Sequence, residues 1–298
     1  MVKSVPVGNE LKNFISLIRA KDWLKNTFIF VPLVFSGNML DIQKGLLAFQ
    51  AFWIFCFLSS AIYVFNDLAD IEEDKNHPEK RNRPIPSGMV GTQYAWSVFL
   101  LFLALSLLSS LTIGLGFFLF AVFYALLNIA YSYRLKRVVI LDVFIVASGF
   151  VIRLLAGASA VNVPASQWLL ICSFLLALFL AFCKRRHELV ILDEKAESHR
   201  DVLKSYSLKF LDQMISVVTT GALLSYMLYT IDPHTVSQFG TGNVIYTSLF
   251  VGYGVFRYLY LVYERDGGGS PANTLLSDPP ILVNIFLWSL AVAWMIYS

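Results

Sequence analysis

Nine apolar stretches constrain this chain more than any other feature. They fall near 26–35, 48–65, 94–111, 115–131, 141–156, 168–183, 211–231, 244–263 and 281–297, and several approach the roughly 20 residues that a helix needs to cross a bilayer. With 57% of its residues hydrophobic and 14% charged, the chain lacks the polar surface of a water-soluble protein, in which about a quarter of residues are charged. The pattern predicts a single all-α integral membrane domain over 1–298 with about nine transmembrane helices. The first stretch is the weakest, because Arg19, Lys21, Asp22 and Lys25 interrupt its lead-in from Phe14. Residues 1–25 read as an amphipathic arm on the inner leaflet, with no cleavable signal peptide.

A net charge of +3 is too small to argue for a nucleic-acid partner, so the placement of charge matters more than its sum. Of the 23 lysines and arginines, 20 fall in 1–25, 67–93, 132–140, 184–210 and 264–280. Lys44 alone falls in an outer connection, and Arg153 and Arg257 lie within predicted helices. The positive-inside rule then puts the N-terminus and the two long loops, 67–93 and 184–210, in the cytoplasm of a multi-pass protein of the inner (cell) membrane. Cys56, Cys172 and Cys183 sit in or at the end of apolar runs with no CxxC spacing, which argues against disulfides and zinc. No internal repeat is evident.

The strongest local signal is Asn66-Asp67-Leu68-Ala69-Asp70-Ile71-Glu72-Glu73-Asp74 at the end of the second stretch. On a helix, Asp67, Asp70 and Asp74 at i, i+3 and i+7 share one face, with Asn66 one turn from Asp70. Three carboxylates so close repel one another unless a cation neutralises them. Mg²⁺ suits the site, since it takes a few carboxylates plus the oxygens of a phosphorylated substrate. Glu72, Glu73 and Glu79 read instead as a solvated acidic helix end. The loop from His77 to Gly88 follows, with Lys80, Arg81 and Arg83 between prolines. Basic residues beside aspartates suit a polyanion that arrives with metal, such as a pyrophosphate, although lipid headgroups would attract each of the three as well.

Arg153 falls near mid-bilayer in the fifth stretch, where an arginine faces the bundle interior or a polar cavity, either in a functional role or paired with a buried acid. Lys136 and Asp142 flank the start of that helix and could complete a site, or Asp142 could cap it. Arg257 could snorkel. The aromatic residues from Tyr253 to Tyr263 read as an interfacial belt, and His77, His187, His199 and His234 are too scattered for a catalytic role.

With these residues in view, the chain resembles the UbiA superfamily of intramembrane prenyltransferases, whose nine-helix fold carries NDxxDxxxD after the second helix. The likeness runs over essentially the whole chain and is closest to the polyprenyl-phosphate phosphoribosyltransferase branch, typified by decaprenyl-phosphate phosphoribosyltransferase. It is carried by Trp23-Leu24-Lys25-Asn26, by Tyr131-Ser132-Tyr133-Arg134-Leu135-Lys136 with Asp142, and by Gly149-Phe150-Val151-Ile152-Arg153 with Ala156-Gly157. Lys184-Arg185-Arg186-His187-Glu188-Leu189 and Asp266-Gly267-Gly268-Gly269 with Leu276-Ser277-Asp278-Pro279-Pro280 complete it.

The resemblance implies a bundle around a central cavity open to the cytoplasmic face, with Mg²⁺ on Asp67, Asp70 and Asp74 and a catalytic Arg153. Substrate contacts would come from Lys25, Asn66, Lys80, Arg81, Arg83, Tyr131, Lys136, Asp142, Lys184, Arg185, Arg186 and Glu188. The substrates implied are phosphoribosyl pyrophosphate and a polyprenyl phosphate lipid, and a homo-oligomer is compatible with this arrangement. Aromatic prenyltransferases of the superfamily carry a second aspartate-rich motif where this chain has Lys184, Arg185, Arg186 and Glu188. Asp193 and Asp201 lie further on without the DxxxD spacing. That exchange favours phosphate bound directly over a second metal. The competing readings are a transferase joining a prenyl diphosphate to an aromatic or other lipid acceptor, and a transporter or lipid-binding protein. A transporter would want inverted repeats, which are not evident.

Overall fold

A computed structural model describes residues 7–76, 80–192, 201–265 and 267–297. Of the residues named above, His77, Pro78, Glu79, Asp193, His199 and Asp266 lie outside this set, as does the middle of the second long loop. Among the described residues all regular structure is helical. In order it comprises α1 (Val7–Leu17), a 3₁₀ segment (Ala20–Phe30), α2 (Val31–Phe35), α3 (Ile42–Ala69), α4 (Ile71–Lys75), α5 (Thr92–Ser110), α6 (Leu115–Tyr133) and α7 (Leu141–Ala160). There follow α8 (Gln167–Leu192), α9 (Leu208–Ile231), α10 (Pro233–Phe239), α11 (Ser248–Glu264), α12 (Pro271–Ser277) and α13 (Pro279–Tyr297).

Among the described residues, seven helices are long and apolar enough to cross a membrane: α3, α5, α6, α7, α8, α9, and α11 with the turn before it. The other two expected spans take different forms. The last, α13, is a shorter apolar helix over Pro279–Met295. The first is no continuous α-helix: Arg19 at φ +49 ends α1, and the chain then winds as 3₁₀ before Pro32 opens the short α2. Three residues per turn bring positions i and i+3 into register. Trp23, Asn26 and Ile29 thus form one inward row, while Asp22 pairs with Lys25 at 2.6 Å. That winding lets a stretch interrupted by charge still present one packing edge.

The apolar interior forms three main clusters. One joins α1, α3 and α5 around Leu17, Val64 and Phe99. The second joins the 3₁₀ segment, α3, α6 and α7 around Ile29, Phe55 and Phe117. The third joins α7, α8, α9, α11 and α13 around Phe179, Leu211 and Tyr258. Helix α7 belongs to two of them and is the most enclosed span, with 61% of its central window buried against 22% for α5. Outward faces keep large apolar side chains exposed, among them Leu101, Leu108, Phe123 and Phe286, as a surface solvated by acyl chains requires.

The approach of the 3₁₀ segment to α7 depends on Gly157, where an added Cβ would stand 2.2 Å from the Ile29 carbonyl oxygen. Backbone on backbone leaves no flexible side chain to yield. Gly157→Ala is therefore expected to destabilise the fold by about 1 to 3 kcal/mol through overpacking, read as a lower melting temperature of the detergent-purified protein. An unchanged melting temperature would refute this packing.

Candidate active site

The acidic motif does not run along one straight helix. α3 ends at Ala69, Asp70 takes a non-helical conformation (φ −105, ψ 14), and α4 restarts at Ile71. Asp67, Asp70 and Asp74 are all buried, at 1%, 6% and 2% exposure, but the break divides them. The expectation of one shared face holds for Asp67 and Asp74, which both accept from Nη1 of Arg83, at 2.9 and 2.7 Å. Asp70 turns the other way, pairing with Lys136 and accepting from Asn66 Nδ2 at 3.2 Å. Asn66 in turn accepts from the Ser132 hydroxyl at 3.0 Å, so α6 helps to hold the motif.

Cations from three separate segments offset these carboxylates. Arg19, just before the 3₁₀ segment, donates to Asp67 and lies over the Tyr63 ring at 5.0 Å. Lys80 stands 3.7 Å from Asp74. Lys136 also reaches Glu73 at 3.6 Å, where Arg137 joins at 3.0 Å. Burial by itself would lower the Arg19 pKa, but Asp67, with Tyr63 and Asp22, holds it above its ordinary value. A cavity of about 240 Å³ opens beside Asp70 and Lys136, walled by Phe65, Leu68, Trp96 and Tyr133. Arg81 is exposed, and among the described residues no three acidic, histidine or cysteine side chains form a ready-made metal cluster.

A second buried group lies where α7 meets α8. Asp142, fully buried, accepts from Arg185 Nε and from the Tyr206 hydroxyl, each at 2.7 Å. Arg185 Nη1 also donates to Glu188 at 2.7 Å, and Lys184 stands 4.0 Å from the same carboxylate. Arg186 donates to Asp212 at 2.7 Å and lies over the Tyr263 ring at 4.1 Å. Both arginines are thus engaged by acids, and Arg185, at 4% exposure, orders Asp142 and Glu188 together. Tyr131 lies half-buried in the last turn of α6.

Asp22 and Lys25 of the 3₁₀ segment pair with each other at 2.6 Å. Burial works to raise the Asp22 carboxyl, yet Lys25, with Arg19 and Lys184, holds it below the usual range. Lys25 also lies 5.8 Å from the centre of the Tyr63 ring.

Arg153 is buried inside the bundle, as its position in α7 predicts, but it pairs with no acid among the described residues. Its nitrogens donate to neutral oxygens: Asn26 Oδ1 at 2.8 Å, the Gly149 carbonyl at 2.8 Å and the Tyr124 hydroxyl at 2.7 Å. Arg257 has an acidic partner. It forms a two-pronged pair with Asp278, at 3.2 and 2.8 Å, whose carboxylate also caps α13 through the Ile281 N–H at 2.9 Å. Tyr253, Phe256, Tyr260 and Tyr263 are exposed, consistent with a belt, whereas Tyr258 is buried on Phe179.

Arg19, Tyr63, Tyr124, Tyr206 and Asp212 belong to these networks without being singled out in the sequence. Their partners lie 26 to 66 residues away or in another helix, beyond any local spacing rule. Position gave one usable signal: Arg19 is the basic residue nearest the acidic face of α3 once the first segment folds back.

Asn26 is the keystone of the Arg153 network, since it also donates to Ser59 at 3.1 Å and to Cys56 Sγ at 3.4 Å. Asn26→Leu would strand a buried guanidinium donor and is expected to cost about 2 to 4 kcal/mol. Asn26→Asp keeps an acceptor and should cost far less. Equal melting temperatures for the two variants would show that the contact does not support the fold.

The sequence pattern of the UbiA prenyltransferase family matches residues 29–290. The decaprenyl-phosphate phosphoribosyltransferase of Corynebacterium glutamicum is 31% identical over 302 residues, covering 99% of this chain and 90% of that protein. The protein of the same description from Mycolicibacterium smegmatis is 29% identical over 98% of this chain and 95% of its own length. Among solved structures, a UbiA homologue from Archaeoglobus fulgidus bound to GPP and Mg²⁺ superposes with a TM-score of 0.71 at 18% identity, covering 96% of this chain and all of that one. At that identity the likeness concerns the fold.

Proposed function

The chain belongs to the UbiA prenyltransferase family, and from that premise we propose that it transfers 5-phosphoribose from phosphoribosyl pyrophosphate to a polyprenyl phosphate, releasing pyrophosphate. The observation that carries this reading is the 31% identity along nearly the whole chain to a decaprenyl-phosphate phosphoribosyltransferase. The charge arrangement supports it. Three buried carboxylates are met by Arg19, Lys80, Arg83 and Lys136, a set suited to a polyanionic donor accompanied by a cation.

Asp67, Asp70 and Asp74 would hold Mg²⁺. The donor set is all oxygen, as a hard cation requires, and oxygens of Asp67 and Asp74 already converge on one cationic nitrogen of Arg83, whereas Asp70, turned to Lys136, would have to swing round to join them. When bound, the ion supplies charge neutralisation at the pyrophosphate leaving group. The basic side chains that now offset the aspartates, Arg19, Lys80, Arg83 and Lys136, would be the ones placed to bind phosphate oxygens.

In the reaction, the bond from ribose C1 to the pyrophosphate oxygen breaks with its electron pair leaving on pyrophosphate. A phosphate oxygen of the lipid, already anionic, forms the new bond from the opposite face with inversion at C1. The product is polyprenylphosphoryl-5-phosphoribose. No general base is needed, so catalysis rests on alignment and electrostatics. Arg153, a buried guanidinium held only by neutral oxygens, keeps uncompensated positive charge inside the bundle for an anionic group. The second reading, prenyl transfer to an aromatic acceptor, shares the first motif, but it wants carboxylates where Lys184, Arg185 and Arg186 stand.

Purified protein given Mg²⁺, labelled phosphoribosyl pyrophosphate and polyprenyl phosphate should carry label into the lipid phase. Asp67→Asn and Asp70→Asn should abolish transfer in a protein that still folds, with a lowered melting temperature because Arg19, Arg83 and Lys136 lose a charged partner, and full activity in excess EDTA would sink the metal assignment. We also assign the site to the cytoplasmic face of the cell membrane, on the segregation of 20 of 23 basic residues. Asn82 is exposed, so a cysteine introduced there should resist impermeant thiol reagents in intact cells and react in inverted vesicles. The opposite pattern would overturn the orientation.

A further inference from the structure

Tyr206 lies in the inner segment just before α9, 64 residues from Asp142 in sequence. Its ring is packed in the third cluster at 5% exposure and stacks on Phe210 with centroids 6.0 Å apart. A phenylalanine would fill that space equally well, so packing does not account for the hydroxyl. The hydroxyl oxygen accepts the Ile140 N–H at 2.7 Å and donates to Asp142 Oδ1, also at 2.7 Å. Burial first, and then Asp142, push its pKa up, so the group remains a donor across the physiological range.

The residue it holds is unusual. Ile140, immediately before α7, sits at φ +69, ψ −45, a region that a β-branched residue enters only under strain. Such strain persists where surrounding contacts over-determine it, and it collects at functional sites. Here the Tyr206 hydroxyl ties the strained turn to the second residue of α7, Asp142. Asp142 then fixes Arg185 through Oδ2, and Arg185 fixes Glu188. The geometry points to Tyr206 as a positioning residue of the transfer site, setting Asp142 and, through it, the Arg185–Glu188 pair, to which the family resemblance assigns substrate contact. This rests on the phosphoribosyl reading above and names a residue which that reading does not include.

The test uses the full chain in lipid nanodiscs, with steady-state kinetics in both substrates and a melting temperature for each variant. Tyr206→Phe should raise the KM for phosphoribosyl pyrophosphate by about tenfold, the size of one hydrogen bond to a charged group, with a smaller change in kcat. Tyr258→Phe, which removes a buried hydroxyl with no partner among the described residues, should leave both constants alone. In an Asp142→Asn background, Tyr206→Phe should add less than about twofold, because the chain of contacts is already broken at its charged link. Unchanged KM in Tyr206→Phe, an equal shift in Tyr258→Phe, or effects of Tyr206→Phe and Asp142→Asn that multiply would each overturn the proposal.

Inorganic pyrophosphate binding with Mg²⁺ is measured on the same samples, since phosphoribosyl and prenyl donors share that group. If the wild type binds pyrophosphate but transfers no phosphoribose, the functional reading fails alone. The proposal is then decided by whether Tyr206→Phe weakens that binding. A wild type that neither transfers nor binds overturns both.

Discussion

The structure depends on the neutralisation of carboxylates withdrawn from water at one end of a membrane bundle. Asp67, Asp70, Asp74 and Asp142 are all nearly inaccessible, and an ionised carboxylate in such surroundings is costly unless paired and hydrogen-bonded. Each obtains its cation from a segment distant in sequence: Arg19 and Arg83 for Asp67, Lys80 and Arg83 for Asp74, Lys136 for Asp70 and Arg185 for Asp142. The electrostatic requirement therefore draws the arm, the loop after α4, the α6–α7 connection and α8 to one place. Charge balance does for this end of the molecule what apolar packing does for the rest.

The same pairing is what the proposed chemistry would draw on. Ion pairs among side chains can be exchanged for ion pairs with ligands, because a bound cation and a polyanion together satisfy both halves of each pair. A set of acids and bases already in mutual contact is a resting arrangement of such a site. The Asp67–Arg83–Asp74 bridge is the clearest example, one guanidinium nitrogen occupying the position between two carboxylates. Arg153 differs in kind: among the described residues its partners are neutral oxygens and the Tyr124 and Phe150 rings, with no carboxylate.

Helix α7 joins these functions. Its first turn carries Asp142 beside the strained Ile140, its middle carries Arg153, and Gly157 near its far end admits the backbone of the 3₁₀ segment. That segment in turn supplies Asn26 to Arg153, and the residues beside it include Arg19. Packing at one end of α7 and electrostatics at the other are thus transmitted through a single rigid element that two of the three apolar clusters share.

Much of this was legible in the sequence. Apolar length alone determined the membrane class and seven of the spans, because a helix crossing hydrocarbon must satisfy its backbone internally and show apolar side chains outward. The NDxxDxxxD run and the basic loops marked the end of the bundle where carboxylates and their cations gather, since buried or clustered charge has few inexpensive locations. Tertiary structure alone decided the pairing. The break at Asp70 that sends it toward Lys136, the 3₁₀ winding of the first segment, the engagement of Arg185 and Arg186 by acids, the Arg257–Asp278 pair and the entry of Arg19 and Tyr206 all follow from contacts between remote segments. Local propensity and spacing report what a residue can do within a few turns of helix; which distant charge completes it is fixed only when the helices pack.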